Sequence, residues 1–516
     1  METIIQRIEF PELIFGFVAP IGADQDAVIN AFATYFKTQG YHVVDIKVTD
    51  IYDRLKPFIK PDVELSLTPP QKRYKSYIQY GDQLRAAFND DSFLATTAIA
   101  RIVEARAALP VAERFSKTVY LVHQFKRREE IALLRAVYGD VFFQISIYSR
   151  RGARVDTLAR TFAEGADSAN INLYRQQAEE LVSIDEEEIE REHGQEVGKV
   201  FHTADFIVNL DEHEPSVPAQ VNRFCELLFS SNQISPTKIE HGMYLAQGAA
   251  LRSLDLSRQV GACILDQQGQ IVCLGANEVP KAGGGTYWAD GEYDDRDWRR
   301  GKDSNEQRKR EILSEILKII QHEKPLDEVL QDKRVKNSQL MDALEYGRVI
   351  HAEMNALCDA ARLGRSCLNA ILYCTTFPCH ICAKHIIGSG IAQVVFLEPY
   401  PKSLAFRLHN DSVEIEGGDR GQYEDFPSVK FVHFSGVTPR RYHEVFQRGR
   451  RKEDDSKGTF QEYHDGMKQP LIDIKAPYYA TSEKAVLTVL EGKYAQQGIT
   501  PKKSPGSKAK GRAPGS

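Results

Sequence analysis

The chain has 516 residues, several times the length over which one hydrophobic core is comfortable, so two domains joined by connecting segments are expected. Its composition, 42% hydrophobic and 27% charged, is ordinary for a globular protein and favours neither a disordered nor a membrane-embedded chain. The net charge of −6, with basic and acidic residues interspersed, argues against a long binding track for polymeric DNA or RNA.

The absence of a targeting pattern and the number of cysteines indicate the compartment in which the protein works. The N-terminal sequence METIIQRIEFPELIFGF has no basic segment followed by a long apolar run, and no other window is apolar over the length that spans a bilayer. We therefore expect a cytoplasmic protein without membrane contact. Eight cysteines are too few for a disulfide scaffold in so long a chain, so metal binding or burial explains them better.

The first part of the chain alternates apolar strands with helical stretches. The strand patterns are ELIFGFVAP, YHVVDIKV, TVYLVHQF, VFFQISIYS and ADFIVNL, and the helix pattern AVINAFATYFK follows the first of them. This alternation predicts a doubly wound α/β domain at residues 1–215, followed by a linker at 216–238. The acidic run from Asp185 to Glu192 is interpreted as a solvated helix without a binding role.

A second α/β domain is predicted over residues 239–475, starting with a helix near Ile239. Its first strands, QVGACILD and QIVCLGAN, flank a glycine turn and predict a β-hairpin. Residues 281–341 combine a glycine-rich opening, a charge cluster and the amphipathic helix REILSEILKII, and are predicted to be an insertion or lid. The C-terminal extension, 476–516, ends in a basic tail from Lys502 that is too polar to order itself.

Two short motifs in the second domain carry metal chemistry. The pattern H-x-E occupies 351–353 and the pattern P-C-x-x-C occupies 378–382, which together form the signature of zinc nucleobase deaminases. Pro378 is predicted to lie in the first turn of a helix, so that the two cysteines share one helix face. The predicted ligands of one catalytic Zn²⁺ are His351, Cys379 and Cys382, which leave the fourth position to water. The remaining cysteines are predicted to be core residues: Cys225, Cys263, Cys273, Cys358, Cys367 and Cys374.

Glu353 is the predicted catalytic residue. Lying two residues after His351, it cannot easily become a fourth ligand from the same helix face, but it can lie beside a water at the metal. It would take a proton from that water and deliver protons to the pyrimidine N3 and to the departing ammonia. The alternatives are a structural site closed by Cys374, His380 or His385, and a pair of buried thiols without metal.

Over roughly residues 239–400 these motifs resemble the cytidine and deoxycytidylate deaminase superfamily. The likeness extends to SRQVGACILDQQGQIVCLGANEVP, which is similar to the opening hairpin of deoxycytidylate deaminases. It implies a three-layer α/β/α domain that deaminates a cytosine nucleotide, and a homo-oligomer. It also implies that Asn277 helps to hold the nucleotide, although a turn-forming asparagine would look the same. A Trp-Arg-Arg element ending in Arg299 and Arg300 implies phosphate contacts, with a solvated loop as the alternative.

The whole arrangement resembles bacterial anti-phage dCTP deaminases, which join an N-terminal P-loop kinase-like domain to such a deaminase. The resemblance implies conversion of dCTP, and often dCMP, to uracil nucleotides, which depletes dCTP during infection, with control in some members by an inhibitory RNA. The first loop departs from a working P-loop because Ala23 and Asp24 follow Gly22 where lysine and a hydroxyl residue are usual. We therefore expect no phosphoryl transfer.

A degenerate kinase-like domain still has roles open to it in sensing, regulation or assembly. Gly22, Ala23 and Asp24 are candidate anion-binding residues at a helix N-terminus, although Asp24 would repel an anion and is an ordinary N-cap. We predict that this domain takes a regulatory nucleotide or an inhibitory RNA. A purely structural role is the alternative.

Two other functions are compatible with the zinc motif. A polynucleotide deaminase acting on tRNA or single-stranded DNA uses the same chemistry, but needs a basic or aromatic channel. A non-catalytic RNA-binding regulator on a deaminase fold would not need the complete set of metal ligands together with Glu353. The acidity of the chain and its hairpin likeness favour a nucleotide substrate.

Overall fold

The structure is a computed structural model that describes residues 7–186, 193–211, 215–400, 403–447, 451–454, 456–464 and 468–499. It divides into two compact units. Unit 1 comprises 1–145, 155–200 and 472–516, and unit 2 comprises 146–154 and 201–471. These bounds differ from the predicted domain ranges, which stay a prediction. The basic tail predicted from Lys502 onward lies outside the described residues.

Strands and helices alternate along both units. In chain order the strands are β1 (Leu13–Val18), β2 (His42–Lys47), β3 (Thr118–His123), β4 (Phe142–Tyr148), β5 (Phe206–Asn209), β6 (Gly261–Leu265), β7 (Ile271–Ala276), β8 (Ile371–Thr376), β9 (Gln393–Glu398), β10 (Val413–Ile415), β11 (Val429–His433), β12 (Gly436–Val437), β13 (Lys452–Asp454) and β14 (Thr459–Phe460).

The α-helices are α1 (Gln25–Thr38), α2 (Tyr52–Leu55), α3 (Pro70–Phe88), α4 (Phe93–Ala108), α5 (Arg128–Tyr138), α6 (Arg151–Glu164), α7 (Arg175–Glu186), α8 (Val197–Phe201), α9 (Val217–Leu228), α10 (Lys238–Ala250), α11 (Asp297–Arg300), α12 (Ser304–Ile319), α13 (Leu326–Val329), α14 (Lys333–Lys336), α15 (Ala352–Arg362), α16 (His380–Gly388), α17 (Ala405–Leu408), α18 (Pro439–Phe446) and α19 (Tyr479–Gln496). No helix in the described ranges is both long and apolar enough to cross a membrane.

Unit 1 is built on a parallel sheet. Strand β3 pairs in parallel with β1 on one side and with β2 on the other, and β4 lies next to β1. Every residue of β1 and β3 is buried, as expected for parallel strands covered on both faces. The strands predicted from the apolar runs of residues 1–215 are confirmed, and α1 follows β1 as predicted.

The acidic run departs from the prediction at its first residue. Asp185, predicted to be solvated, is fully buried near the end of α7. Its Oδ2 accepts a hydrogen bond from the Ile21 amide at 2.7 Å, and its Oδ1 accepts one from Lys126 Nζ at 2.6 Å. A buried carboxylate is stable only with such partners. Residues 187–192 of the run lie outside the described residues.

Helix α19 is part of unit 1. Its Glu483 accepts hydrogen bonds from Arg106 Nη1 at 2.7 Å and Nη2 at 2.9 Å. The Arg106 Nε donates to Glu12 at 2.9 Å, and all three side chains are buried. The described part of the C-terminal extension is therefore anchored by a buried ion-pair triad.

Unit 2 contains a mixed sheet in the order β10–β11–β9–β8–β6–β7. Strand β6 is antiparallel to both β7 and β8, whereas β8, β9, β11 and β10 run parallel to one another. The predicted hairpin is confirmed as β6 and β7. It turns through Gly269, whose φ of 90° lies in the left-handed region that favours glycine.

Two glycines let helices lie directly on opposite faces of this sheet. A Cβ atom on Gly261 would lie 1.9 Å from the Ala246 carbonyl oxygen of α10, and one on Gly275 would lie 2.1 Å from the Ala352 oxygen of α15. Because Gly275 is the cross-strand partner of Ala262, it faces the side opposite to Gly261. Unit 2 thus has helix, sheet and helix layers, and the predicted α/β class is confirmed.

Candidate metal centre and active site

Three metal-capable side chains meet where two helices of unit 2 begin. His351 is the N-cap of α15, Cys379 is the N-cap of α16, and Cys382 lies in the first turn of α16. The Nδ1 atom of His351 is 3.3 Å from each cysteine sulfur, and the three ligand atoms lie within 4.8 Å of one another. Zinc bonds of about 2.0 Å to nitrogen and 2.3 Å to sulfur place tetrahedral ligands roughly 3.5 Å apart. The arrangement therefore fits zinc.

The prediction for Pro378 was wrong by two positions. Helix α16 begins at His380, so Cys379 caps it with an extended backbone (φ −70°, ψ 168°) and Pro378 precedes the cap. The Pro378 carbonyl oxygen accepts a hydrogen bond from Ser403 Oγ at 2.8 Å. This bond fixes the approach to the helix, and the Cys379 sulfur lies at a helix end where unpaired amides stabilise a thiolate.

Electrostatics in the cluster favour one thiolate. A hydrogen bond with Cys382, together with one to His351, lowers the pKa of Cys379 to about 4. Burial alone would lower the pKa of His351, but the hydrogen bond and charge of Cys379 raise it to about 9. The hydrogen bond with Cys379, followed by burial, raises the pKa of Cys382 well above its usual range. A metal held by these three side chains would displace protons from His351 and Cys382, so its affinity would rise with pH.

Glu353 lies beside these three side chains and is 3% exposed. Burial raises the pKa of its carboxyl group, and the negative charge of Cys379 adds to the effect. A carboxyl group with a raised pKa takes up a proton more readily than an ordinary one. Helix α15 is held on the sheet both at Gly275 and by Asn355, whose Oδ1 accepts from the Ala276 amide at 3.1 Å.

Cys374 is a neighbour of Glu353 that the motif does not reveal. It is fully buried in β8, and burial, together with the adjacent Glu353 carboxylate, raises the pKa of its thiol well above the usual range. A neutral thiol at this position is a hydrogen-bond donor rather than a metal ligand. In the described part of the chain the metal-capable cluster contains neither Cys374, His380 nor His385, the three candidates for closing a structural site.

Asn277 organises the loop that leads into the hairpin. Its Oδ1 accepts from the Val260 amide at 2.7 Å, and its Nδ2 donates to Asp255 at 3.0 Å and to the Arg258 carbonyl oxygen at 2.8 Å. Both amide hydrogens are therefore engaged within the protein. A contact between Asn277 and substrate stays a prediction.

Arg299 and Arg300 lie on the short helix α11 and are not part of the metal cluster. Their side chains are 57% and 44% exposed. Arg299 lies 3.6 Å from Asp294 and stacks on Trp298, with 4.6 Å between guanidinium and ring centroid, while Arg300 pairs with Asp295. Phosphate contacts by these arginines stay a prediction.

Glu278 is a positioning residue that sequence patterns did not identify. It is 1% exposed, and its carboxylate accepts hydrogen bonds from the Leu254 amide at 3.1 Å and from Arg296 Nη1 at 3.4 Å. It therefore joins the loop before the hairpin to the segment before α11. Its place directly after Asn277, at the end of a strand, was the available signal.

Gly22, Ala23 and Asp24 lie in unit 1, in the loop between β1 and α1, and line a cavity there. The Asp24 Oδ1 accepts from the Ala27 amide at 3.2 Å, which confirms the predicted N-cap. Anion binding by the three residues stays a prediction.

One cysteine prediction was wrong. Cys358 is exposed on α15, whereas Cys225, Cys263, Cys273, Cys367 and Cys374 are buried as predicted. The helical pattern around Cys358 did not reveal its exposure, because α15 packs only one of its faces on the sheet.

Comparisons with known proteins match the segment that contains this site. Residues 236–398 match the family model for the cytidine and deoxycytidylate deaminase zinc-binding region. The chain is 32% identical over 172 residues to a probable deoxycytidylate deaminase of Drosophila melanogaster, which covers 33% of this chain and 64% of that protein. It is 50% identical over 54 residues to the deoxycytidylate deaminase of Enterobacteria phage T2, which covers 10% of this chain and 29% of that protein.

Among solved structures, the dCMP deaminase of cyanophage S-TIM5 in complex with dCMP and dUMP matches at 19% identity and a TM-score of 0.22. That match covers 38% of this chain and 99% of the phage chain. The chain spans less than two thirds of the length of the curated relatives named above. Residues 236–398 therefore resemble the zinc-binding region of cytidine and deoxycytidylate deaminases.

Proposed function

We propose that the chain is a zinc-dependent deaminase that converts dCTP to dUTP, and also dCMP to dUMP, with release of ammonia. The observation that carries the proposal is the meeting of the His351 Nδ1 atom with two cysteine sulfurs beside the buried carboxyl group of Glu353. Three protein ligands leave one tetrahedral position open, which is the arrangement of catalytic rather than structural zinc.

When bound, zinc supplies the Lewis acidity that makes water nucleophilic near neutral pH. The proton transfers are carried out by a side chain of the protein. Glu353 accepts a proton from the attacking water as its oxygen bonds to C4 of the pyrimidine, and then gives a proton to N3. A second proton passes through Glu353 to the exocyclic nitrogen, the C4–N4 bond breaks, and ammonia leaves. Water and cytosine become uracil and ammonia without any redox change.

The substrate is proposed from two lines of support. The named relatives are deoxycytidylate deaminases, which favours dCMP. The resemblance of the whole chain to anti-phage dCTP deaminases favours dCTP, with Asn277, Arg299 and Arg300 contacting the nucleotide. Under this proposal the enzyme depletes dCTP in the cytoplasm as an antiviral defence, works as a homo-oligomer, and has a degenerate P-loop region at Gly22 that takes a regulatory nucleotide or an inhibitory RNA.

A single-stranded polynucleotide is the second candidate substrate, because aromatic side chains are exposed in the insertion. Trp288, Tyr293 and Trp298 are 52%, 75% and 41% exposed. The Arg252 guanidinium lies 3.7 Å from the centroid of the Trp288 ring. Exposed aromatic rings next to arginines are the elements on which successive bases stack.

The test incubates zinc-loaded protein separately with dCTP, dCMP, CTP and cytosine-containing single-stranded DNA, and quantifies the uracil products. Glu353→Gln should lower turnover by about 10²- to 10⁴-fold, since it removes proton transfer but no ligand. Its zinc content should equal that of the wild type. Glu311→Gln, which changes an exposed carboxylate on α12, is the matched control and should leave turnover unchanged. Conversion of DNA alone, or of nothing by protein carrying one zinc per chain, would refute the proposal.

A further inference from the structure

Unit 1 contains a cavity of about 290 Å³ where its parallel strands end. The walls include the loop after β1 at residues 19–26, Lys47 at the end of β2 with Thr49 after it, and Gln124 and Lys126 after β3. In open parallel sheets the crevice beyond the carboxyl ends of the strands is where ligands bind. Its position alone therefore suggests a ligand site, and its side chains indicate the kind of ligand.

Two residues that line this cavity each contain a buried polar atom without a hydrogen-bond partner among the described residues. Gln195 is 7% exposed and its Oε1 atom is unpaired, while Arg85 is 2% exposed and its Nε atom is unpaired. Both residues line the cavity. Buried polar atoms in folded proteins are nearly always paired. Because both atoms are shielded from the open space of the cavity, a ligand reaches them only after their side chains turn toward it.

Aromatic and cationic groups occupy another part of the lining. The Arg73 guanidinium lies 5.8 Å and 5.6 Å from the ring centroids of Tyr74 and Tyr77, and Tyr52 lies 5.6 Å from Tyr77. Within the described ranges Arg73 forms no ion pair with a carboxylate. Tyrosine rings stack on planar heteroaromatic rings, and a guanidinium free of carboxylates binds phosphate oxygens.

Backbone groups of the loop after β1 already form hydrogen bonds with side chains of the protein. Asp185 accepts from the Ile21 amide and from Lys126, and Lys126 also donates to the Ala19 carbonyl oxygen at 2.8 Å. With these groups engaged, and with Ala23 in place of a lysine, the loop has no cation with which to clamp a phosphate. An anionic group on a ligand is directed to Arg73 instead.

Gln124 shows backbone strain at the same cavity. Its φ of 76° lies in the left-handed region, which is unfavourable for a residue other than glycine. Its Oε1 atom accepts a hydrogen bond from Thr49 Oγ1 at 3.0 Å, which joins the loops after β2 and β3. Strain of this kind is retained mainly at ligand and active sites.

We propose that this cavity binds a small nucleotide, with one planar base among the tyrosines and its phosphate on Arg73, and holds it without phosphoryl transfer. The inference rests on the proposed function only for its regulatory purpose. Of the two predicted ligands of this region, nucleotide and RNA, it selects the nucleotide. The geometry itself is independent of the deaminase site, so the two proposals can fail separately.

The experiment measures binding of dUMP, dTMP, AMP and inorganic phosphate to the zinc-loaded full-length protein by calorimetry, and locates it by hydrogen exchange. At least one nucleotide should protect segments 19–26 and 70–81. Arg73→Gln and Tyr77→Leu should each weaken that binding at least about tenfold, because the first removes the phosphate contact and the second removes a ring on which the base lies. Lys75→Gln, on the same helix as Arg73 and exposed, is the matched control and should bind like the wild type.

Four results would overturn the proposal. They are no protection of these segments by any nucleotide at millimolar concentration, binding undiminished in both variants, equal protection by inorganic phosphate alone, and protection by single-stranded RNA but by no nucleotide. Uracil formation is measured on the same preparations. Turnover of dCTP by Arg73→Gln at the wild-type rate, together with lost nucleotide binding, would separate this site from the deaminase site.

Discussion

Unit 1 and unit 2 each contain a buried strand, a loop and a helix whose first residue is capped, but the two junctions hold different charges. In unit 2, β8 leads to α16 and the cap is Cys379. In unit 1, β1 leads to α1 and the cap is Asp24, whose carboxylate bonds to the Ala27 amide. Both helix ends present free amides. The side chain at the cap decides whether they support a metal-binding thiolate or satisfy a carboxylate.

The same contrast extends to the partners of each junction. The Cys379 sulfur meets His351 and Cys382, which come from two helices, and their pKa values are strongly shifted by one another. The loop of unit 1 meets Asp185 and Lys126, which neutralise each other. A shared backbone arrangement therefore does not transfer an activity, and function has to be argued from side chains.

Removal of the Cys382 sulfur should have the largest effect on zinc content and turnover. Cys382→Ser should reduce bound zinc from one per chain to near zero and uracil formation by about 10³-fold or more, because the pKa of water is far above neutral pH when no metal lowers it. Metal analysis and product chromatography measure both. Cys358→Ser, which changes the exposed cysteine on α15, is the control. Full activity of Cys382→Ser at wild-type zinc content would show that this cysteine is not a ligand.

Some features of these two junctions were predictable from the sequence, and others were not. The motif at 351–353 and 378–382 indicated the metal cluster because its chemistry depends on a few residue types at short spacing. The strands and the hairpin were predicted by apolar runs and a glycine turn. Pro378 was placed in α16 incorrectly, since the cap shifted to Cys379 and the proline lies outside the helix. Local signals thus gave the elements, but not the residue at which a helix begins.

Contacts between distant segments were not predictable. Asp185 reads as the first residue of a charged run, yet it is buried because it pairs with Lys126, 59 residues away in sequence. Gln195 and Arg85 belong to no motif and are noticeable only once the fold brings them to one cavity. A single sequence contains no signal for such pairs, since neither hydrophobic period nor spacing reports them.

Loss of the Asp185 contact should have the next largest effect, and it should lower the stability of unit 1. Asp185→Ala leaves Lys126, which is 15% exposed, without its carboxylate partner, and should lower the local stability of unit 1 by about 3 kcal/mol. Hydrogen exchange in β1 and α7 measures the change. Glu180→Ala on the same helix removes an exposed ion pair with Lys75 and should cost less than about 1 kcal/mol. Equal losses in the two variants would show that the Asp185 contact is only a surface feature.

The cap of α1 should give the smallest change. Asp24→Ala removes the acceptor for the Ala27 amide and should destabilise α1 by about 1 kcal/mol, measured as faster hydrogen exchange in its first turn. Asp24→Asn is the control, because asparagine caps a helix as well as aspartate does, while it removes the negative charge. Since Asp185 occupies the loop amide, neither variant should gain affinity for inorganic phosphate. Tighter phosphate binding by Asp24→Asn would mean that the charge of Asp24, rather than occupancy by Asp185, keeps anions from this loop.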